Sequence, residues 1–183
     1  MTKAIEPALH WPPELLLRAQ DIRAVLLDVD GVLTDGGLYY GADGEALKRF
    51  HTLDGHGLKL LARAGVAVIV ISGRDSRALR QRLAELGVER VHLGVADKLQ
   101  VAGAVLGELQ LAWEQVAAMG DDWPDLPLLA RAGFACAPPG AHVQARALAD
   151  HVTTHAGGHG AVRELCDLLL VASGRYRDAL ERH

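Results

Sequence analysis

Two aspartates, Asp28 and Asp30, close the short apolar run from Arg23 to Leu27, and Gly31 follows them at once. A run of that length and character reads as a buried strand of a parallel sheet, broken by the glycine. Ligands of open α/β sheets bind beyond the carboxyl ends of the strands, so the pair is predicted at the rim of a crevice. Residues two apart on extended backbone point the same way, which sets the two carboxylates side by side. Such a pair repels itself unless a cation, a shared proton or backbone N–H groups compensate. A bound divalent metal is the simplest of these.

The rest of the chain alternates strands with helices. Leu38–Tyr40 and Glu45–Phe50 flank Gly41-Ala42-Asp43-Gly44 and read as a β-hairpin insertion at about 36–50. A helix to Ala64 follows, with Asp54 as the expected N-cap and Gly65 as its stop. Strand Val66–Ile71, helix Ser76–Leu86, a strand around Val91, helix Asp97–Leu109 and strand Val116–Met119 come next. Helix Leu126–Ala132, strand Phe134–Ala137, helix Ala141–Leu148 and a short strand at His151-Val152 complete the series. Gly157 to Gly160 reads as a flexible joint before a last helix, Ala161–Val171, and a loosely held tail. The pattern predicts a doubly wound, mainly parallel α/β sheet of Rossmann type, with a small hairpin and no separate cap domain. Residues 21–172 form the expected domain, with an N-terminal extension at 1–20, where Leu15-Leu16-Leu17 docks a helix, and a C-terminal tail at 173–183.

At 183 residues, half of them hydrophobic, the chain suffices for one domain with a substantial core. A net charge of -4 and the lack of a dense Lys/Arg run argue against nucleic acid as a partner. The first twenty residues hold no continuous apolar segment, so neither a signal peptide nor a membrane span is expected. Cys136 and Cys166 lack metal-ligand spacing and read as buried thiols suited to a reducing cytoplasm.

Polar residues gather after three strands, as Asp28/Asp30, Ser72 and Asp121/Asp122, with Lys98 opening a helix between the last two. Phosphoryl transfer needs such an inventory: an anionic nucleophile, a donor and a cation for the phosphoryl oxygens, a metal, and a group that handles the leaving-group proton. The ordinary alternatives are a turn at Asp28-Asp30, helix caps at Ser72 and Asp125, and a solvated surface lysine at Lys98.

Asp28-x-Asp30-Gly-Val-Leu-Thr-Asp35, Ser72 after its strand, Lys98, and Gly120-Asp121-Asp122-x-x-Asp125 resemble, in order, the four motifs of haloacid dehalogenase-like phosphatases. Asp28–Gly36, Lys48-Arg49-Phe50, Asp54–Gly57, Ile71–Arg74 and Gly157–Glu164 are similar, more narrowly, to the members that act on 3-deoxy-D-manno-octulosonate 8-phosphate. His159 departs from the Arg usual there. The resemblance implies that Asp28 attacks phosphorus and that Asp30 protonates the leaving alcohol and then activates water. It implies Mg²⁺ held by the Asp28 carboxylate, the Asp30 carbonyl and the Asp121 carboxylate, with Asp122 and Asp125 orienting these ligands or their waters. Ser72 and Lys98 would bind the phosphoryl group.

A hairpin-sized insertion cannot cover the crevice, so a neighbouring subunit is expected to close it, and the resemblance implies a homotetramer. Arg74, beside Ser72, suits the carboxylate of an eight-carbon sugar acid. The sequence leaves open a phosphatase for a nine-carbon, sialic-acid-like phosphate, and a phosphoacceptor module. Thr34, Lys48, Arg49 and Arg163 are polar candidates without an assigned role.

Overall fold

The computed structural model of the chain describes residues 7–181. Residues 1–6 of the expected extension and 182–183 of the expected tail lie outside them. In chain order the elements are α1 (Pro13–Ala19), β1 (Ala24–Leu27), the hairpin β2 (Tyr39–Gly41) and β3 (Gly44–Leu47), α2 (Thr52–Arg63), β4 (Ala67–Ser72), α3 (Arg77–Leu86) and β5 (Arg90–Leu93). They continue as α4 (Lys98–Leu109), β6 (Val116–Met119), α5 (Leu126–Leu129), β7 (Phe134–Ala137), α6 (Val143–Leu148), β8 (His151–Val152), α7 (Ala161–Ala172) and α8 (Tyr176–Glu181).

Six strands form one parallel sheet in the order β5-β4-β1-β6-β7-β8, and β2 and β3 pair separately as an antiparallel hairpin. Because side chains alternate across a strand, the pleat splits the core in two. Val25, Leu27, Val68, Val70, Ala117 and Met119 pack with α2 and α7, whereas Ala24, Leu26, Ile69, Ile71, Val116 and Ala118 pack with α4. The doubly wound sheet, the small hairpin and the absence of a cap domain are as the sequence predicts. β1 lies between β4 and β6, so its carboxyl end is where the chain's connections diverge, the position at which such sheets bind ligands.

Four local expectations are corrected. His51, not Asp54, caps α2, its Nδ1 accepting from Leu53 N at 3.3 Å. Asp54 turns inward and accepts from Gly160 N and Arg163 N at 3.3 and 2.8 Å. Gly157–Gly160 is a packed contact rather than a flexible joint, because both Gly157 and Gly158 are buried against the loop after β1. The tail from Ser173 forms α8, whose Tyr176 and Ala179 lie on the core, while Arg175 donates to Ala64 O at the end of α2. In α1 only Leu15 of the leucine triplet packs on the core, and Leu17 faces solvent.

Candidate active site

The loop after β1 is built to hold its acids still. Asp28 N donates to Met119 O at 3.1 Å, which continues the parallel ladder by one residue. Thr34 N then returns to Val29 O at 3.0 Å, folding residues 29–34 into a tight turn over buried Val29 and Val32. Gly31 sits there at φ +84°, and a Cβ on it would fall 2.2 Å from Asp121 Oδ2. Glycine is therefore required for both the left-handed backbone and the approach of the second acidic loop.

That second loop leaves β6 at Gly120. Asp125 Oδ2 accepts from Asp121 N at 3.1 Å and Asp122 N at 3.4 Å, so Asp125 pins the backbone that carries Asp121. Its other oxygen accepts from Lys98 Nζ at 2.7 Å, and Lys98, at the start of α4, donates equally to Asp28 Oδ1 at 2.7 Å. Asp125 does not cap α5, and Asp122 remains exposed at the turn.

Carboxylate oxygens of Asp28, Asp121 and Asp125 lie within 4.8 Å of one another. Burial first, and then the charge of Asp125, lift the Asp28 carboxyl to about 6 against the lowering effect of Lys98. Burial and the neighbouring Asp28, Asp125 and Asp122 push Asp121 to about 7. Burial lowers Lys98, but the two carboxylates outweigh it and hold the ammonium above its usual range. One lysine does not neutralise three acids. The donor set, all carboxylate oxygens, is that of a hard divalent cation, and the surplus negative charge is what such an ion removes.

Asp30 stands apart from this cluster, partly exposed, in the grip of two cations. Lys48 Nζ from the end of the hairpin lies 2.5 Å from Asp30 Oδ1, and Arg74 Nε lies 3.6 Å from Asp30 Oδ2. Arg74 also donates to Tyr40 Oη at 2.9 Å and to Glu45 Oε2 at 3.3 Å. The hairpin thus reaches its own subunit's acid through side chains. Ser72 is fully buried at the end of β4, next to β1 in the sheet, and its Oγ accepts from Arg74 N at 3.2 Å. Ser76 caps α3 instead, which leaves the Ser72 hydroxyl hydrogen uncommitted to the helix.

A third segment closes on the first loop from behind. Gly158 N donates to Val32 O at 3.0 Å, and a Cβ on Gly157 would fall 1.8 Å from Gly31 O. Thr34, buried against the same segment, directs Oγ1 toward Val29 O at 3.3 Å and Asp30 Oδ1 at 3.5 Å. Arg49 donates to Gly158 O at 3.0 Å and lies 3.1 Å from His159 Nε2.

Residues 91–165 match the haloacid dehalogenase-like hydrolase family model. The 3-deoxy-D-manno-octulosonate 8-phosphate phosphatase of Salmonella typhimurium is 41% identical over 167 residues, covering 91% of this chain and 89% of that protein. The chain belongs to the haloacid dehalogenase-like phosphatases. Among solved members of this family, the 3-deoxy-D-manno-octulosonate 8-phosphate phosphatase of Moraxella catarrhalis, in complex with magnesium, phosphate and KDO, superposes with a TM-score of 0.89. It is 36% identical and covers 92% of this chain and 97% of its own. The cobalt-bound deoxy-D-mannose-octulosonate 8-phosphate phosphatase of Haemophilus influenzae gives 0.85 at 40% identity, covering 90% and 99%.

Of the residues singled out in the sequence for this haloacid dehalogenase-like site, Asp28, Asp121, Asp125 and Lys98 meet directly. Asp30 and Arg74 meet each other, and Ser72 meets the backbone of Arg74. Lys48, which carried no role, is buried against Asp30, while Tyr40 and Glu45 were not singled out at all. Their signal in the sequence was a tyrosine and a glutamate on the hairpin inserted directly after the loop that carries Asp28 and Asp30.

Proposed function

We propose that this protein is a Mg²⁺-dependent phosphatase that hydrolyses 3-deoxy-D-manno-octulosonate 8-phosphate to 3-deoxy-D-manno-octulosonate and inorganic phosphate. The observation that carries this reading is the convergence of Asp28, Asp121 and Asp125 around Lys98 at the mouth of the parallel sheet.

In this reading Asp28 attacks phosphorus while the bond from phosphorus to the sugar oxygen breaks. Asp30 passes a proton to the departing oxygen. The Asp30 carboxylate then takes a proton from water as the water oxygen attacks the aspartyl-phosphate, which frees Asp28 and phosphate and returns Asp30 to its protonated form. Lys98 and the Ser72 hydroxyl stabilise the phosphoryl oxygens. The Asp28 and Asp121 carboxylates and the Asp30 carbonyl would hold Mg²⁺, which when bound would supply Lewis-acid stabilisation of phosphoryl charge. Asp125 fixes the Asp121 backbone, and exposed Asp122 would orient the metal ligands or their waters. Arg74, half exposed beside Asp30, is assigned to the substrate carboxylate.

The hairpin exposes Leu38, Tyr39, Tyr40 and Leu47 on a two-stranded sheet, which is marginal alone in water. That supports a homotetramer in which hairpins meet and a neighbour closes the site. Residues 21–172 are taken as the phosphatase domain. The two buried, unpaired thiols Cys136 and Cys166 suit the cytoplasm.

The test is phosphate release from a panel of sugar phosphates with and without EDTA, beside Asp28→Asn. Metal-dependent turnover with highest kcat/KM for the eight-carbon acid is expected. Turnover no better than that of Asp28→Asn on every ester would overturn the assignment.

A further inference from the structure

Glu164, in the first turn of α7, takes no part in the steps above, yet five donors converge on its carboxylate. Thr154 N and Oγ1 donate at 3.0 and 2.7 Å, His155 N and Nδ1 at 3.3 and 2.8 Å, and His151 Nε2 at 2.9 Å. Facing an acceptor-only group, both ring nitrogens must carry hydrogen. The side chain is 9% exposed, and these bonds draw the Glu164 carboxyl down to about 2 although burial opposes them.

What Glu164 fastens is the stretch between β8 and α7, and that stretch delivers Gly157 and Gly158 to the first acidic loop. There the fit leaves no slack: Gly157 abuts Gly31 O, Gly158 abuts Thr34 and Asp35, and Thr34 Oγ1 is 3.5 Å from Asp30 Oδ1. A side chain whose only route to Asp30 is through this backbone can still set where its carboxyl group sits.

We propose that Glu164 is a positioning residue for Asp30: by anchoring Thr154 and His155 it seats Gly157-Gly158 against Gly31 and Thr34 and so holds Asp30 for proton transfer to the leaving oxygen. The inference rests on the phosphatase reading and on Asp30 as its general acid. Misplacement by about 1 Å is enough to cost a factor of 10² in a well-oriented site.

The test compares the full-length, Mg²⁺-loaded wild type with Glu164→Gln on phosphate esters of graded leaving-group basicity, from p-nitrophenyl phosphate through phenyl phosphate to an alkyl phosphate. kcat/KM reports the steps up to release of the alcohol. Loss of acid assistance should lower it at least about tenfold for the alkyl ester and leave the p-nitrophenyl ester within about twofold, steepening the dependence on leaving-group basicity. Thr154→Val, which removes one donor, should show the same trend at smaller size and serves if Glu164→Gln fails to fold. A uniform loss across the series, or none, overturns the inference alone. A wild type inactive on 3-deoxy-D-manno-octulosonate 8-phosphate as well as on every ester of the series overturns the phosphatase reading, and this inference with it.

Discussion

Lys98 sets its ammonium 2.7 Å from the Asp28 carboxylate, although 70 residues separate them in the chain. It is the one cation in contact with the acid cluster among the described residues, and it is shared with Asp125. Replacing it by methionine leaves two largely buried carboxylates without their counter-charge. Lys98→Met should lower kcat about 10²–10³-fold. It should also destabilise the metal-free protein by about 3–5 kcal/mol, an effect read in thermal melts and partly recovered on adding Mg²⁺.

Metal removal should act on stability as well as rate. An ion that binds the folded chain shifts its melting temperature upward with concentration. Wild-type protein is expected to melt higher with millimolar Mg²⁺ than with EDTA. Asp121→Asn removes an acid from the crowd of three, so it should lose that gain while its metal-free form melts no lower than the wild type.

Glycines 157 and 103 make a matched pair. A Cβ at Gly157 would strike Gly31 O, whereas one at Gly103, inside α4, meets nothing within 4 Å. Gly157→Ala should cost about 1–3 kcal/mol through overpacking, and cut phosphatase activity more than tenfold because the displaced backbone carries Asp30. Gly103→Ala should be neutral or stabilise by up to about 1 kcal/mol, since alanine is the better helix former. Urea titrations and initial rates decide both.

Acid should loosen the fold through Glu164. Its folded-state value of about 2 lies below the ordinary 4.5, so the charged form is favoured by folding. The stabilisation is complete above about pH 4.5 and disappears as the pH falls through 2. Glu164→Gln removes this contribution, so the stability of wild type and variant should converge over that window. A difference that stays constant from pH 6 to pH 2 would exclude the assignment.

The apolar hairpin provides a test of assembly. Leu47→Glu places charge on an exposed face of β3 without touching the core. If hairpins join subunits, sedimentation should show smaller species for the variant, with little change in the melting of each chain.

The alternation of strands and helices was legible because buried parallel strands are written as short apolar runs between amphipathic helices, and strands Val116–Met119 and Phe134–Ala137 lie where those runs place them. The acids of the candidate site were legible for a related reason. A strand end followed by glycine can deliver a carboxylate to one place only, so Asp28 and Asp121 announce themselves locally. Caps were less so: His51 took the position expected of Asp54, because a contact with the start of α7 used Asp54 instead.

The sequence by itself determined the alternation of strands and helices, the mainly parallel sheet, and the placement of Asp28, Ser72, Lys98 and Asp121 near strand ends or at a helix start, all of which follow from local periodicity and short-range spacing; the strand order that makes the end of β1 the switch point came only with the tertiary structure. Only the tertiary structure decided that Lys48 and Arg74 flank Asp30, that Gly157 must lack a side chain, and that Glu164 anchors the loop behind the acids. Those roles are fixed by which backbones come within van der Waals reach after the helices pack on the sheet, and no pattern along the chain encodes that distance.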